Sequence, residues 1–237
     1  GSFKDRVLLA IEDITDLRAA EVRKDDFLSV SSHELKTPLT TIKGYNQTLE
    51  RLLPKDSSPK LISIVEKMGK QIDRLYKIIT NLLDMSRIQS GNLILHRESV
   101  DLNNLIAEAV DSFLVQGTTH KIDIKGKVDK LIECDESQLI QVVQNLISNA
   151  IKYSPDANRV EVNLSTVSNF AKVAVTDFGM GISNDDEKRI FDRFYRVSDV
   201  QKHFPGMGIG LYIAEEIISK HEGSLWVDSE PGKGATF

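Results

Sequence analysis

The stretch QVVQNLISNAIKYS, Gln141–Ser154, carries two asparagines and a lysine at a telling spacing. Asn145, Asn149 and Lys152 fall at i, i+4 and i+7, so a helix lines all three along one face. Carboxamide oxygens suit a hard cation such as Mg²⁺, which also keeps waters and phosphate oxygens in its shell. Lys152 can neutralise phosphate charge. A solvated polar helix face would show the same residues, so the surrounding sequence has to decide.

Working outward, short β-like runs flank this helix: HKIDIKGKV (120–128), RVEVNLSTV (159–167), AKVAVTDFG (171–179) and SLWVDSE (224–230). Helical runs lie between them over 102–113, 135–153 and 209–221. Strands and helices mixed in this way predict an α+β sandwich with helices on one face of a sheet. VTDFGMGIS ends a strand with Asp177, followed by Gly179 and Gly181. Glycines there permit positive φ and let a ligand approach the backbone. An aspartate at a strand end can accept a hydrogen bond from an amine such as the adenine amino group. FPGMGIGLYIA then runs Gly206, Gly208 and Gly210 into a helix start, where free N–H groups and the positive dipole end suit a polyphosphate. No Lys-Ser/Thr follows, so this is not a Walker A loop, and the G-x-G-x-G spacing without a preceding strand is not a dinucleotide fingerprint. Roughly 25 residues separate the two glycine segments, and that length suits a lid. PGKGATF supplies a tight glycine turn near the end.

The first half has a different period. Leu28, Leu35, Ile42 and Leu49 recur every seven residues, with Tyr45 and Leu52 three beyond two of them. Leu61, Val65, Met68, Ile72, Leu75, Ile79 and Leu82 alternate steps of four and three. Both runs are a/d seams of packed helices, and LPKDSSP (53–59) supplies the turn of a helical hairpin. One hairpin buries such seams poorly, so pairing two through a two-fold axis into a four-helix bundle is the expected remedy, a homodimer.

Composition narrows the classes. Of 237 residues, 41% are hydrophobic and 27% charged, with a net charge of -5, the balance of an ordinary globular chain. Scattered Lys and Arg argue against a nucleic-acid partner. A single cysteine, Cys134, rules out an intrachain disulfide and fits a reducing compartment. No apolar run approaches the roughly 20 residues that cross a bilayer. Gly1-Ser2 reads as a vector-derived leader, in which case the parent protein is longer and its own membrane attachment is open. The expected location is cytoplasmic for this segment, within a cytoplasmic or inner-membrane parent.

Taken in order, the motifs resemble those of sensor histidine kinases. SSHELKTPLTTIKGY (31–45) is similar to the family's H-box, QVVQNLISNAIKYS to its N-box, and DFGMG to its G1 box. FDRFYR resembles the F-box, GMGIGL the G2 box, and GKGATF the last glycine box. LLAIEDIT near the start resembles, more faintly, the closing strand of a PAS sensor domain. The resemblance implies three parts: residues 1–16 as a linker or the end of an upstream PAS-like domain, 17–92 as a dimerisation and phosphotransfer hairpin, and 93–237 as an ATP-binding sandwich of the GHKL (Bergerat) type. It implies autophosphorylation by ATP with Mg²⁺, transfer to an aspartate of a response regulator, and dephosphorylation of that regulator.

Residue roles follow from the same resemblance. His33 matches the phosphoacceptor, Glu34 the neighbouring acid, and Thr37 the residue linked to dephosphorylation. Asn149, assisted by Asn145, matches the Mg²⁺ ligand, and Lys152 and Tyr153 would contact phosphate and nucleotide. Asp177 would take the adenine amino group in a pocket shaped by Gly179 and Gly181. Gly206, Gly208 and Gly210, with Leu211 behind them, would wrap the phosphates, and Phe191 and Phe194 would steady the lid. In hydrolysing relatives of this ATP fold a glutamate stands one turn before the metal-binding asparagine. Asn145 stands there in this chain and cannot act as a base, so slow free hydrolysis is expected. A non-catalytic nucleotide-binding scaffold and a GHKL-type ATPase are the rival readings.

The heptad adds its own reading of His33. With Leu28 and Leu35 at position a, His33 falls at f, facing away from the seam, where a nucleophile that meets two proteins has to be exposed. Its imidazole has an unperturbed pKa of about 6.5, so a neutral form is available near neutrality. Pro38 removes the N–H that would bond to the Glu34 carbonyl and loosens the helix below His33. That predicts a joint controlling access to the histidine.

Overall fold

The computed structural model describes residues 39–49, 51–54, 58–115, 117–197 and 207–237. His33, Glu34, Thr37, Pro38 and Gly206 lie outside the described residues, as do the PAS-like stretch and the first half of the leading heptad seam. The chain divides into two compact units, residues 1–92 and 93–237.

The described part of the first unit is helical. Residues 39–49 form α1, and Pro59–Gln89 form α2, 31 residues long with proline at its start. Proline is tolerated there because the first-turn N–H groups have no intrahelical partner. Lys43 on α1 pairs with Asp73 on α2 at 2.6 Å and lies 5.8 Å from the Tyr76 ring centroid. Both charged groups are well exposed, so the pair contributes little stability. Leu39 and Asn46 on α1 and Val65 on α2 are buried. The predicted seams point elsewhere: Ile42, Tyr45, Leu49 and Leu52, with Leu61, Met68, Leu75 and Leu82, are between 39% and 73% exposed in a single chain. Val65 alone of the second run is fully covered, so one chain leaves most of its a/d stripe without apolar cover.

The second unit is α+β. Its elements are β1 (Glu98–Val100), α3 (Leu102–Val115), β2 (Lys121–Gly126), β3 (Ile132–Cys134) and α4 (Glu136–Tyr153). Then come β4 (Arg159–Val167), β5 (Phe170–Thr176), a one-turn α5 (Asn184–Glu187), α6 (Gly210–Lys220), β6 (Asp228–Glu230) and β7 (Gly234–Thr236). Five strands form one sheet in the order β2-β4-β5-β7-β6. Only β2 and β4 run parallel, and α4 is part of the crossover between them, as parallel pairing requires. The β1 and β3 strands form a separate antiparallel pair.

Alternation along β4 explains the layering. Val160, Val162 and Leu164 are buried while the residues between them are not, so one face of the sheet takes the helices. Helix α4 packs on β4 and β5 and is flanked by α3 and α6. Its Val142, Val143, Leu146, Ile147 and Ala150 supply the buried stripe, which leaves Asn145, Asn149 and Lys152 on a different flank. Asp135 caps α4: its carboxylate accepts from the Gln138 N–H at 3.1 Å, the Ser137 hydroxyl at 2.8 Å and the His96 N–H at 2.9 Å. Burial pushes this carboxyl up, but the hydrogen bonds outweigh it and hold it below its ordinary value.

The predicted helices fall within two residues of those observed at each end. The three-residue strands β1, β3 and β7 were not predicted, and only Asp228–Glu230 of SLWVDSE is paired. Cys134 is buried at the end of β3, and burial, then neighbouring carboxylates, push its thiol up to about 11; it is a packing residue. Among the described residues no helix is long and apolar enough to cross a membrane.

Candidate active site

Asp177 follows directly on β5 and is 6% exposed. Its Oδ1 accepts from the Gly179 N–H at 2.9 Å and the Ala235 N–H at 3.3 Å. Its own N–H donates to the Ala235 carbonyl at 2.9 Å. One carboxylate oxygen is therefore fixed by backbone, and Oδ2 is left for a ligand. Burial raises the Asp177 carboxyl above its ordinary value, and the two backbone N–H groups only partly offset this.

The glycines around it are there for close approach. A Cβ on Gly179 would overlap the Tyr153 carbonyl oxygen at the end of α4, one on Gly181 the Glu230 carbonyl, and one on Gly234 the carbonyl of Asp177 itself. Three chain segments thus stack in backbone contact: β7, the Asp177–Gly181 turn and the C-terminus of α4. The Met180 N–H donates to the Tyr153 carbonyl at 3.3 Å and completes that stack. The role of Gly234 and Ala235 in fixing Asp177 was missed in the sequence, where GKGATF reads only as a turn.

On the flank of α4, Lys152 Nζ donates to the Tyr153 hydroxyl at 2.9 Å and sits 4.6 Å from that ring's centroid. Lys152 and Tyr153 are therefore one unit. Asn145 has a buried Nδ2 with no hydrogen-bond partner. Its carboxamide lies under the start of α6, where a Cβ on Gly210 would come within 2.5 Å of its Oδ1. The sequence placed these two residues in separate motifs; the fold puts one against the other. Asn149 and Lys152 stand one and two turns further along α4, both half-buried.

Helix α6 begins without a side-chain cap, its preceding residue being Ile209. Among the described residues no side chain accepts from its first-turn N–H groups, and no acidic residue sits in that turn, which suits an anion. Gly208 has φ 70, and its carbonyl accepts the Phe194 N–H at 2.9 Å. Leu211 is half-buried behind it. The two phenylalanines differ: Phe191 packs edge-on against Phe237 with centroids 6.4 Å apart, whereas Phe194 is 58% exposed with φ 62. Phe194 also contributes through its backbone, by the bond to the Gly208 carbonyl. Tyr195 anchors the same segment by donating to Asp186 at 2.6 Å.

For a divalent cation the donor set is informative. Among the described residues no three His, Cys, Asp or Glu side chains gather, so there is no all-protein cage. A few neutral oxygens beside an anion site fit Mg²⁺, which keeps waters and phosphate oxygens in its shell.

Residues 23–91 match the His Kinase A (phospho-acceptor) domain, and residues 134–237 match the family described as histidine kinase-, DNA gyrase B- and HSP90-like ATPase. The chain is 31% identical over 98% of its length to the sensor histidine kinase WalK of Bacillus subtilis, covering 39% of that protein. It is 33% identical over 96% of its length to the sensor-like histidine kinase SenX3 of Mycolicibacterium smegmatis, covering 59%. The chain thus spans less than two thirds of either relative. Among solved structures, full-length ShkA in complex with AMPPNP is similar over 90% of this chain and 44% of its own, with TM-score 0.70 and 26% identity. The mycobacterial sensor histidine kinase MprB matches 59% of this chain and 93% of its own, with TM-score 0.51 and 28% identity. With a phospho-acceptor domain and an ATPase domain in this order, the chain belongs to the sensor histidine kinases and comprises their catalytic core.

Proposed function

We propose that the chain transfers the γ-phosphoryl group of ATP to His33 and passes it on to an aspartate in the receiver domain of a response regulator, which it also dephosphorylates through Thr37. The observation that carries the nucleotide half is Asp177, a buried carboxylate with Oδ1 fixed by two backbone N–H groups and Oδ2 left to accept from an amine. The adenine amino group is such a donor. ShkA, whose solved complex holds AMPPNP, is similar over most of this chain. We assign residues 17–92 to phosphotransfer and 93–237 to ATP binding, in keeping with the two compact units.

Phosphates would lie between the uncapped start of α6 and the flank of α4, where Lys152 supplies positive charge. Asn149 and Asn145 would hold Mg²⁺, which when bound neutralises phosphate charge. In the transfer, an imidazole nitrogen of His33 forms a bond to the γ-phosphorus while the bond from that phosphorus to the β–γ bridging oxygen breaks. ADP leaves, and Glu34 accepts the ring proton. Such transfers depend mostly on positioning and charge stabilisation. Asn145 offers no general base to water, which favours a protein acceptor over free hydrolysis.

The exposed seams support a homodimer. Ile42, Tyr45 and Leu49 on α1 and Leu61, Met68, Leu75 and Leu82 on α2 recur at heptad spacing and lie open in one chain. A second hairpin covering them would complete a four-helix bundle.

Incubation with γ-labelled ATP and Mg²⁺ should label the chain in an acid-labile, alkali-stable form that His33→Gln abolishes. Label that survives the substitution would move the acceptor elsewhere. Asp177→Asn should weaken ADP binding about 10- to 100-fold. With Oδ1 fixed by two donors, the new amide must occupy the Oδ2 position and face the adenine amine donor to donor. In the unsubstituted chain, ADP affinity should fall as pH drops through the raised Asp177 carboxyl, at a higher pH than an ordinary carboxylate would give. Folding responds with the opposite sign, because a raised folded-state carboxyl costs stability when charged and releases that cost on protonation. A pH-independent affinity in calorimetry across the acid range would contradict the role of Asp177. Finally, Leu75→Glu together with Met68→Glu should halve the mass measured by light scattering toward the 26.5 kDa of one chain; an unchanged mass would rule out the seam as the interface.

A further inference from the structure

His120 is the residue immediately before β2, in a stretch that reads simply as the start of a strand, and it is buried. Its Nε2 lies 2.8 Å from the carbonyl oxygen of Ser154, the residue that caps the C-terminus of α4. A carbonyl only accepts, so Nε2 carries the proton and donates. Nδ1 lies 3.1 Å from the Thr119 hydroxyl, which donates to it in the neutral tautomer. Ser154 is wholly buried and its hydroxyl turns back to the Ala150 carbonyl. The last carbonyls of a helix have no intrahelical donor; the Ser154 carbonyl takes two from outside, the Ala157 N–H at 3.0 Å and the shorter, side-chain bond from His120.

That carbonyl sits next to the stack behind Asp177. Tyr153, one residue before Ser154, presents the carbonyl against which Gly179 packs and to which the Met180 N–H donates. Gly179 in turn donates to Asp177 Oδ1. A line of contacts therefore runs from the His120 ring through Ser154 and Tyr153 to the turn holding the carboxylate. The same end of the sheet supports the turn from a second side. Lys121 is in register with Arg159, whose guanidinium lies 3.9 Å from the centroid of Phe178, between Asp177 and Gly179.

We infer that His120 is a positioning residue for nucleotide binding: by donating from Nε2 to the Ser154 carbonyl it fixes the C-terminus of α4, and with it the turn that aims Asp177 at the base. This rests on the nucleotide reading of the site. His120 touches no substrate and takes no part in the transfer; its effect is on affinity. The Nε2 donor is the feature that matters, and it can be separated from ring packing by side-chain length. Glutamine carries an N–H to about the reach of Nε2, whereas asparagine reaches only the position of Nδ1, on the Thr119 side.

Calorimetric ADP binding to the full 237-residue chain tests this with His120→Gln, His120→Asn and His120→Leu. Loss of one buried hydrogen bond should weaken binding about tenfold in His120→Leu and His120→Asn, while His120→Gln stays within about threefold of the unsubstituted chain. A general loss of packing would weaken all three alike, and that outcome would overturn the inference. Unchanged affinity in His120→Leu would overturn it too. If the leucine variant does not fold, the contrast between the glutamine and asparagine variants decides. Failure of the unsubstituted chain to bind ADP would instead defeat the nucleotide reading itself, and this inference with it.

Discussion

The second unit is organised around a carboxylate that has been buried and half satisfied. Placing Asp177 in the interior costs free energy unless its oxygens find donors, and the fold supplies two, from Gly179 and Ala235, both to Oδ1. Those donors exist only because three backbones come together, and glycines 179 and 234 remove the Cβ atoms that would keep them apart. The order of the sheet follows from the same need: β7, a late and very short strand, inserts beside β5 so that Ala235 can reach back across 58 positions in sequence. What remains unsatisfied, Oδ2, is what a ligand would use.

The opposite side of the site is built on the same plan. Helix α4 spends its apolar stripe on the core and turns the Asn145 carboxamide toward the start of α6, where Gly210 makes room for it and, among the described residues, no side chain caps the helix. Unpartnered polar groups of this kind are costly in a finished protein interior. Here the unpartnered group is Asn145 Nδ2, beside the start of α6 where we propose that phosphates bind. The helical unit shows a comparable incompleteness in apolar form, with its heptad stripe open to solvent in the single chain.

Much of this is legible in the amino-acid sequence. Helices α3, α4 and α6 and strands β2, β4 and β5 carry enough residues for their period to show, and the asparagine and glycine motifs sit where the helices and turns require them. Strands β1, β3 and β7 did not show, because three residues cannot display an alternation. Their absence hid the partner of Asp177, and so the reason the last glycine motif matters. The approach of Gly210 to Asn145 was equally invisible, being a contact across 65 positions that no local pattern encodes. His120 was counted as the opening residue of a strand; nothing local says that its ring reaches the end of α4. The backbone bond from Phe194 to Gly208 was likewise not visible, since it joins residues 14 positions apart.

Asn145 in place of a general base, and a match to a phospho-acceptor domain over residues 23–91, underlie the proposal that phosphate leaves ATP for protein rather than for water. The direct measurement is a time course of γ-labelled ATP with Mg²⁺ on the 237-residue chain, following protein-bound label and free phosphate in the same samples. The account predicts that label accumulates on the chain while release of free phosphate lags behind it. Brisk steady-state phosphate release with no label held on the protein would contradict it.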